Sequence, residues 1–261
     1  MQTLLRRGIY AVYAILLISL PSIVAADTIR LAAASDLKFA LEEITANFQA
    51  TSGHRVNLTY GSSGLLATQI RHGAPFHVFM SADEAYVHEL DQSGLTDDAG
   101  ALYALGRIVL MTPKHSQLPM DEALSGLRQQ LESRQLRRFA IANPEHAPYG
   151  KRAEEALRAL QLWEPIKPHL VYGENVSQAA QFAMSGSADG GIVAYSLVKS
   201  PQLAGRVNAM LLPAHLHQPL RQRMVLMKGA PPAARALYTY LQSPPARDIF
   251  KRYGFGLPEE D

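Results

Sequence analysis

The feature that most constrains this chain is a regular alternation of short β-type runs with amphipathic helical stretches, sustained along residues 28–253. Thr28-Ile29-Arg30-Leu31 reads as a strand entering a core. Behind it Leu37, Ala40, Leu41, Ile44 and Phe48 recur at helical spacing. Val56-Asn57-Leu58-Thr59-Tyr60 alternates with period two, and the turn Gly61-Ser62-Ser63-Gly64 leads into a helix begun by Leu65, Leu66, Gln69 and Ile70. Residues 76–80 predict a third strand and 83–90 the helix after it. Further strands are expected at 107–111, 139–142, 169–172, 191–195, 207–212 and 223–227. The expected helices lie at 121–132, 151–162, 176–184, 231–241 and 246–253. Such alternation specifies an α/β chain with mostly parallel sheets flanked by helices, because parallel neighbours need crossover connections.

The strand series at 139, 169 and 191 repeats the one that ends near residue 100, which predicts two lobes rather than one large sheet. The last helices have no strand after residue 227 and are expected to fold back on the first lobe. Lobe 1 is then residues 27–107 plus 220–261, and lobe 2 is 108–219. Two lobes crossed twice by the chain leave a cleft, where ligands of open α/β sheets bind.

Residues 1–26 read as a cleavable signal peptide. Arg6 and Arg7 form a basic start, 9–20 an apolar run, and Val24-Ala25-Ala26 a small-residue cleavage site before Asp27. The run is short for a membrane span and is followed at once by Pro21. Leu5 and Gly8-Ile9 around the arginine pair fit a twin-arginine signal poorly, so ordinary secretion is expected. The chain has no cysteine, which excludes a disulfide framework and a lipid anchor on an N-terminal cysteine. A freely soluble periplasmic protein is the expectation. Removing Arg6 and Arg7 takes the 25 basic residues to 23, equal to the 23 acidic ones. A chain so balanced offers no basic surface for nucleic acid.

Chemistry is expected at the strand-to-helix junctions. In Leu31-Ala32-Ala33-Ala34-Ser35-Asp36-Leu37 a small-residue strand runs into a helix with Ser35 at the N-cap. Such a serine can simply cap its own helix, or the free N–H groups and helix dipole can seat an anion. Three more junctions have the same form: Ser62-Ser63-Gly64, residues 143–150, and Asn175-Val176-Ser177. Two fall in each lobe, the distribution a clamp on a small anion needs. Other chemistries fit less well. Gly61-Ser62-Ser63-Gly64 suggests a hydrolase nucleophile turn but lacks the G-x-S-x-G pattern, and none of the nine histidines sits in a triad context. His215-Leu216-His217 could place two imidazoles on one strand face, with His146 as a further candidate metal ligand, but a third strong ligand is missing nearby. Phe76, Phe79 and Trp163 are expected in cores, and Lys251 and Arg252 on a solvated helix face.

Ala32-Ala33-Ala34-Ser35, Gly61-Ser62-Ser63-Gly64, Ser81-Ala82-Asp83, Asn143-Pro144-Glu145-His146-Ala147-Pro148, Glu174-Asn175-Val176, Gly191-Ile192-Val193 and Phe250-Lys251-Arg252-Tyr253-Gly254-Phe255 occur in order along the chain. Together they resemble the ModA family of periplasmic molybdate-binding proteins of ABC importers, over essentially all of residues 27–261. The resemblance implies a two-lobed, type II periplasmic-binding fold that closes on molybdate or tungstate and delivers it to a membrane ABC permease. It implies no catalysis and no cofactor, and a monomer is expected. The oxyanion would be held by neutral donors. Ser35 and Ser63 are similar to the family's two serine ligands, Val176 to a position giving its backbone N–H, and Tyr149 to another. These residues would meet the oxygens of the oxyanion, with no direct ligation of the metal.

Two positions depart from the family pattern. Many relatives carry a small residue at the Tyr149 position and a tyrosine where Ala194 stands. Here the tyrosine is Tyr195, and a one-residue shift in a strand sends a side chain to the other face. Tyr195 is therefore expected to pack, and Tyr149 to supply a hydroxyl as well as its amide. Asp36 is the second departure. Its carboxylate is expected to face solvent, where it favours the helix dipole and leaves its N–H for the ligand. Sulfate and phosphate are the rival ligands, separated from molybdate mainly by cavity size.

Overall fold

In the computed structural model residues 27–258 are described, so the signal-peptide assignment lies outside the described residues. The chain opens with β1 (Thr28–Ala34), a 3-10 turn (Ser35–Leu37) and α1 (Lys38–Ser52), followed by β2 (Arg55–Gly61), α2 (Ser63–Arg71), β3 (Val78–Ser81) and α3 (Glu84–Gln92). Strands β4 (Ala101–Gly106) and β5 (Ile108–Pro113) are separated only by Arg107. Then come α4 (Ser125–Glu132), β6 (Phe139–Ala142), α5 (Pro148–Ala159), α6 (Trp163–Ile166), β7 (Leu170–Gly173), α7 (Val176–Met184), β8 (Gly190–Ala194) and α8 (Tyr195–Val198). The chain ends with β9 (Val207–Leu211), β10 (Leu220–Leu226), α9 (Pro232–Tyr240) and α10 (Pro244–Arg252).

The strands form two five-stranded sheets, ordered β2-β1-β3-β10-β4 and β7-β6-β8-β5-β9. The arrangement is the same twice over. In each sheet three strands are parallel, β1 with β2 and β3, and β6 with β7 and β8. Strand β10 is antiparallel to both its neighbours β3 and β4, and β5 to both β8 and β9, so one strand in each sheet runs against the other four. The sheets are thus mixed, because the strand arriving from the other lobe, β5 or β10, enters reversed.

Edge strand β2 shows the expected alternation, with Val56, Leu58 and Tyr60 half-buried against the core and their neighbours exposed. Leu237, Ile249 and Phe250 from the last two helices are buried with Leu31, Leu41 and Ile44, so the C-terminal helices pack on the first lobe. Fully burying a side chain the size of Phe250 contributes about 1.5–3 kcal/mol, and its ring also meets Tyr103 at 5.5 Å and Phe255 edge-on at 5.7 Å. Phe79 and Trp163 are core residues as expected, and Phe76 packs beside Phe79 at the rim.

Several elements differ from expectation for local reasons. Strand β4 was not legible: Ala-Leu-Tyr-Ala-Leu is a helix-compatible run, made into a strand by its pairing with β10. The helix expected from residue 121 starts at Ser125, because Leu124 holds a left-handed φ of 52°. The last strand of the second parallel series stops at Ala194, and Tyr195 opens α8. His215 lies in a 3-10 turn and His217 just after it, so no strand face presents two imidazoles. Arg252 is exposed and pairs with Glu43 at 2.7 Å.

Candidate functional site

The C-terminal ends of β1, β2 and β3 face α5 and α7 of the other lobe across a tight cavity of about 10 Å³. Ser35, Asp36, Ser63, Tyr149 and Val176, the residues expected at the site, all line it, and no Lys, Arg or His is among the described lining residues. A larger groove of about 200 Å³ opens nearby between Phe39 and Met184, but it is lined by the cations Lys38 and Arg206 and by none of the five expected site residues. The small cavity at the strand-to-helix junctions is the candidate site.

The two serines are set alike. Ser63 Oγ accepts a hydrogen bond from the backbone N–H of Ala82 at 2.9 Å. Ser35 Oγ accepts from Ser177 N–H at 3.3 Å, and Ser177 Oγ donates to the Ser35 carbonyl at 2.9 Å. In each case a lone pair is occupied, which leaves the O–H proton to donate into the cavity. Ser35 therefore does not cap its own helix: α1 starts later, at Lys38, and the hydroxyl reaches the opposite lobe instead.

Helix N-termini supply the remaining donors. In α7 the cap Asn175 accepts from Ser177 N–H and Gln178 N–H, both at 3.1 Å, so Val176 carries the first-turn amide that its cap does not use. In α5 Pro148 presets the first turn and has no N–H, and the cap Ala147 has no side-chain acceptor. The Tyr149 amide is therefore an orphan donor of the kind that binds anions.

Two side-chain expectations are corrected. Asp36 does not face solvent; it is 2 % exposed, because the 3-10 turn directs it under the junction. Its Oδ2 accepts from Tyr149 Oη at 2.9 Å and Gln222 Nε2 at 2.7 Å, and its Oδ1 is buried without a partner. The Tyr149 hydroxyl has one proton, and it is spent on Asp36 rather than offered to a ligand. Behind them Tyr103 Oη donates to Gln222 Oε1 at 2.8 Å, and Gln222 Nε2 also donates to Tyr149 Oη at 3.1 Å. Burial pushes the Asp36 carboxyl up to about 6, with the bonds from Gln222 and Tyr149 opposing it. Burial first, and the neighbouring Asp36 second, hold the Tyr149 and Tyr103 hydroxyls well above the usual phenol range. Tyr195 packs as expected, its ring beneath the Arg107 guanidinium at 5.1 Å. Arg107 in turn donates to the Gly254 carbonyl at 2.7 and 2.9 Å, tying the chain crossing to the C-terminal segment.

Other contacts crossing the cleft had no local signal in the sequence. Gly64 N–H donates to the His146 carbonyl at 2.9 Å, and Ser62 Oγ lies 2.8 Å from His146 Nδ1. Ser196 Oγ donates to the Asp36 carbonyl at 2.8 Å. Arg152, 6 % exposed, bridges Asp83 of the first lobe at 2.9 Å and Glu155 of its own helix at 2.6 Å. His146 is thus a closure contact, and among the described residues no cluster of three or more His, Cys, Asp or Glu could hold a metal.

Fold and site together define a two-lobed binding protein that encloses a small ligand between its sheets. Residues 29–256 match the family described as bacterial extracellular solute-binding protein. A molybdate-binding protein ModA of Azotobacter vinelandii is 36 % identical over 236 residues, covering 89 % of this chain and 91 % of that one. Another, of Rhodobacter capsulatus, is 35 % identical, with 96 % of both chains covered. The solved Azotobacter vinelandii periplasmic molybdate-binding protein superposes with a TM-score of 0.81 at 30 % identity, covering 88 % of this chain and 99 % of that one. The chain belongs to the bacterial extracellular solute-binding proteins and, among them, to the ModA family of molybdate-binding proteins. It is a binding protein and not an enzyme.

Proposed function

We propose that this protein captures molybdate, and tungstate as well, in the periplasm and delivers it to an ABC permease. The hydroxyls of Ser35 and Ser63 and the backbone amides of Asp36, Tyr149 and Val176 would hold the oxyanion, with Tyr149 contributing its amide alone. The observation that carries this reading is the pair of serine hydroxyls whose oxygens each accept a backbone N–H, facing two helix N-termini in a cavity lined without cations. A dianion held by neutral donors is bound through charge-assisted hydrogen bonds of roughly 1.5–3 kcal/mol each. Five such bonds support affinity of micromolar or better after association costs. Periplasmic residence rests on the signal-peptide pattern of residues 1–26, and permease delivery on the family. Lobe boundaries at 107/108 and 219/220 would act as the hinge, and the protein would act as a monomer.

Calorimetric titration of the purified protein with molybdate, tungstate, sulfate and phosphate tests the reading. Tight binding of the first two with sulfate at least a hundredfold weaker is expected. Equal affinity for sulfate would overturn the specificity, and no binding of any oxyanion would overturn the class of ligand.

A further inference from the structure

We propose that Asp36 takes up one proton from solvent when the oxyanion binds, so that capture is coupled to protonation of a carboxyl in the cavity wall. This rests on the oxyanion reading above. Asp36 lines the cavity and is buried. Its Oδ2 is already the acceptor for Tyr149 and Gln222, whereas Oδ1 is buried and has no partner. An unpaired anionic oxygen in a dry wall is costly, and a dianion brought beside it adds like-charge repulsion. A proton on Oδ1 removes both penalties. It also converts an oxygen that can only accept into an O–H that can donate to an oxyanion, whose oxygens can only accept.

The groups around the carboxyl offer no other means of neutralising it. Tyr149 faces it from α5, Tyr103 from β4 and the neutral amide of Gln222 from β10. From α8 comes the Ser196 hydroxyl, to the main chain of Asp36, while α7 sends Ser177 to Ser35. Lys38 at the start of α1 lies over the Phe39 ring, 5.6 Å from its centroid. Both tyrosines stay protonated, so the proton comes from water and returns to it on release. Burial already pushes the carboxyl up to about 6, and a bound dianion would raise it further. Affinity is therefore greatest in acid, falls as pH rises above about 6 and levels off only above the bound-state value.

The test is calorimetry of the purified protein with sodium molybdate and sodium tungstate between about pH 6 and 8, in two buffers of different ionisation heat. Kd is expected to rise with pH, approaching about tenfold per pH unit, with net uptake of about one proton at the upper end. In Asp36→Asn, whose amide imitates the protonated acid, the slope and the proton uptake should both vanish. Tyr149→Phe removes a donor that favours the anionic form and should move the slope to higher pH. Binding without a pH slope or proton uptake, or a slope that survives in Asp36→Asn, would overturn the proposal. If Asp36→Asn fails to fold, an unmoved slope in Tyr149→Phe overturns it instead. Absence of binding at every pH would overturn the oxyanion reading and this proposal with it, whereas binding without the slope overturns this proposal alone.

Discussion

Ser63 and Ser62 are adjacent serines with different duties. Ser63 Oγ rests on Ala82 N–H, so its proton is available to a ligand, while Ser62 Oγ is engaged with His146 across the cleft. Ser63→Ala should therefore cost about 1.5–3 kcal/mol of molybdate affinity, roughly 10- to 150-fold. Ser62→Ala should cost about tenfold or less, as one net hydrogen bond of closure. Calorimetry of the two variants side by side checks the order, and a larger loss in Ser62→Ala would reverse the assignment. Tyr195→Phe should leave affinity unchanged, since the ring stacks under Arg107. Asp36 has the opposite character. Its folded-state value of about 6 lies above the ordinary 3.8, so the folded protein binds that proton more tightly than the unfolded chain. Its contribution is full in acid, is lost as pH climbs from about 4 to 6, and leaves a cost on the order of 2–3 kcal/mol at neutral pH. Because Tyr149 comes from the opposite lobe, this cost belongs to the closed form. Asp36→Asn should accordingly favour closure at pH 7.5, seen as a more compact ligand-free protein by small-angle scattering, and lose that effect near pH 4.

At the level of elements, the site is a meeting of helix starts, and their backbones come close enough that only glycine fits. A Cβ at Gly64, in the first turn of α2, would stand 2.7 Å from the His146 carbonyl and 3.1 Å from its Cα, both fixed backbone of the opposite lobe, and 2.9 Å from the Tyr86 hydroxyl of its own lobe, the end of a side chain that can swing aside. Gly64→Ala should therefore obstruct closure while leaving the first lobe intact. Ligand affinity should fall at least about tenfold with the ligand-free Tm unchanged, and equal loss in both would show that the clash is felt within the lobe. Much of this geometry was legible in advance. Period-two and helical patterns placed the strands and helices because each buries one face locally, as β2 does with Val56, Leu58 and Tyr60. The junctions were legible because a serine or asparagine after a small-residue strand is a local signal. Strand β4 was not, since Ala and Leu carry no strand preference and its partner β10 lies more than a hundred residues away. The same holds for the direction of Asp36: Gln222 is 186 positions distant and Tyr149 is 113, so nothing local turned the carboxyl inward.

Across the whole molecule, closure brings together groups that each lobe alone would leave to water. One of them is Arg152 on α5, whose Nη2 meets Asp83 from the first lobe while its Nη1 meets Glu155. Its side chain is 8 % exposed and that of Asp83 18 %, so the pair is shielded enough to matter. Because Glu155 lies three positions along the same helix, Arg152 keeps a partner when the lobes part, and the open form has little to lose. The Asp83 carboxylate also caps α3 by accepting from Ala85 N–H at 3.0 Å. Asparagine preserves a cap of comparable strength, so Asp83→Asn removes the interlobe charge without unravelling the helix. That substitution should weaken molybdate binding by about tenfold, some 1.4 kcal/mol, and lower the Tm of the loaded protein. The Tm of the ligand-free protein should stay where it is. Small-angle scattering should show a similar compact form at saturating ligand, reached only at higher ligand concentration than in the wild type. An equal Tm loss with and without ligand would instead place the Asp83–Arg152 pair among the contacts that hold the fold together in every state.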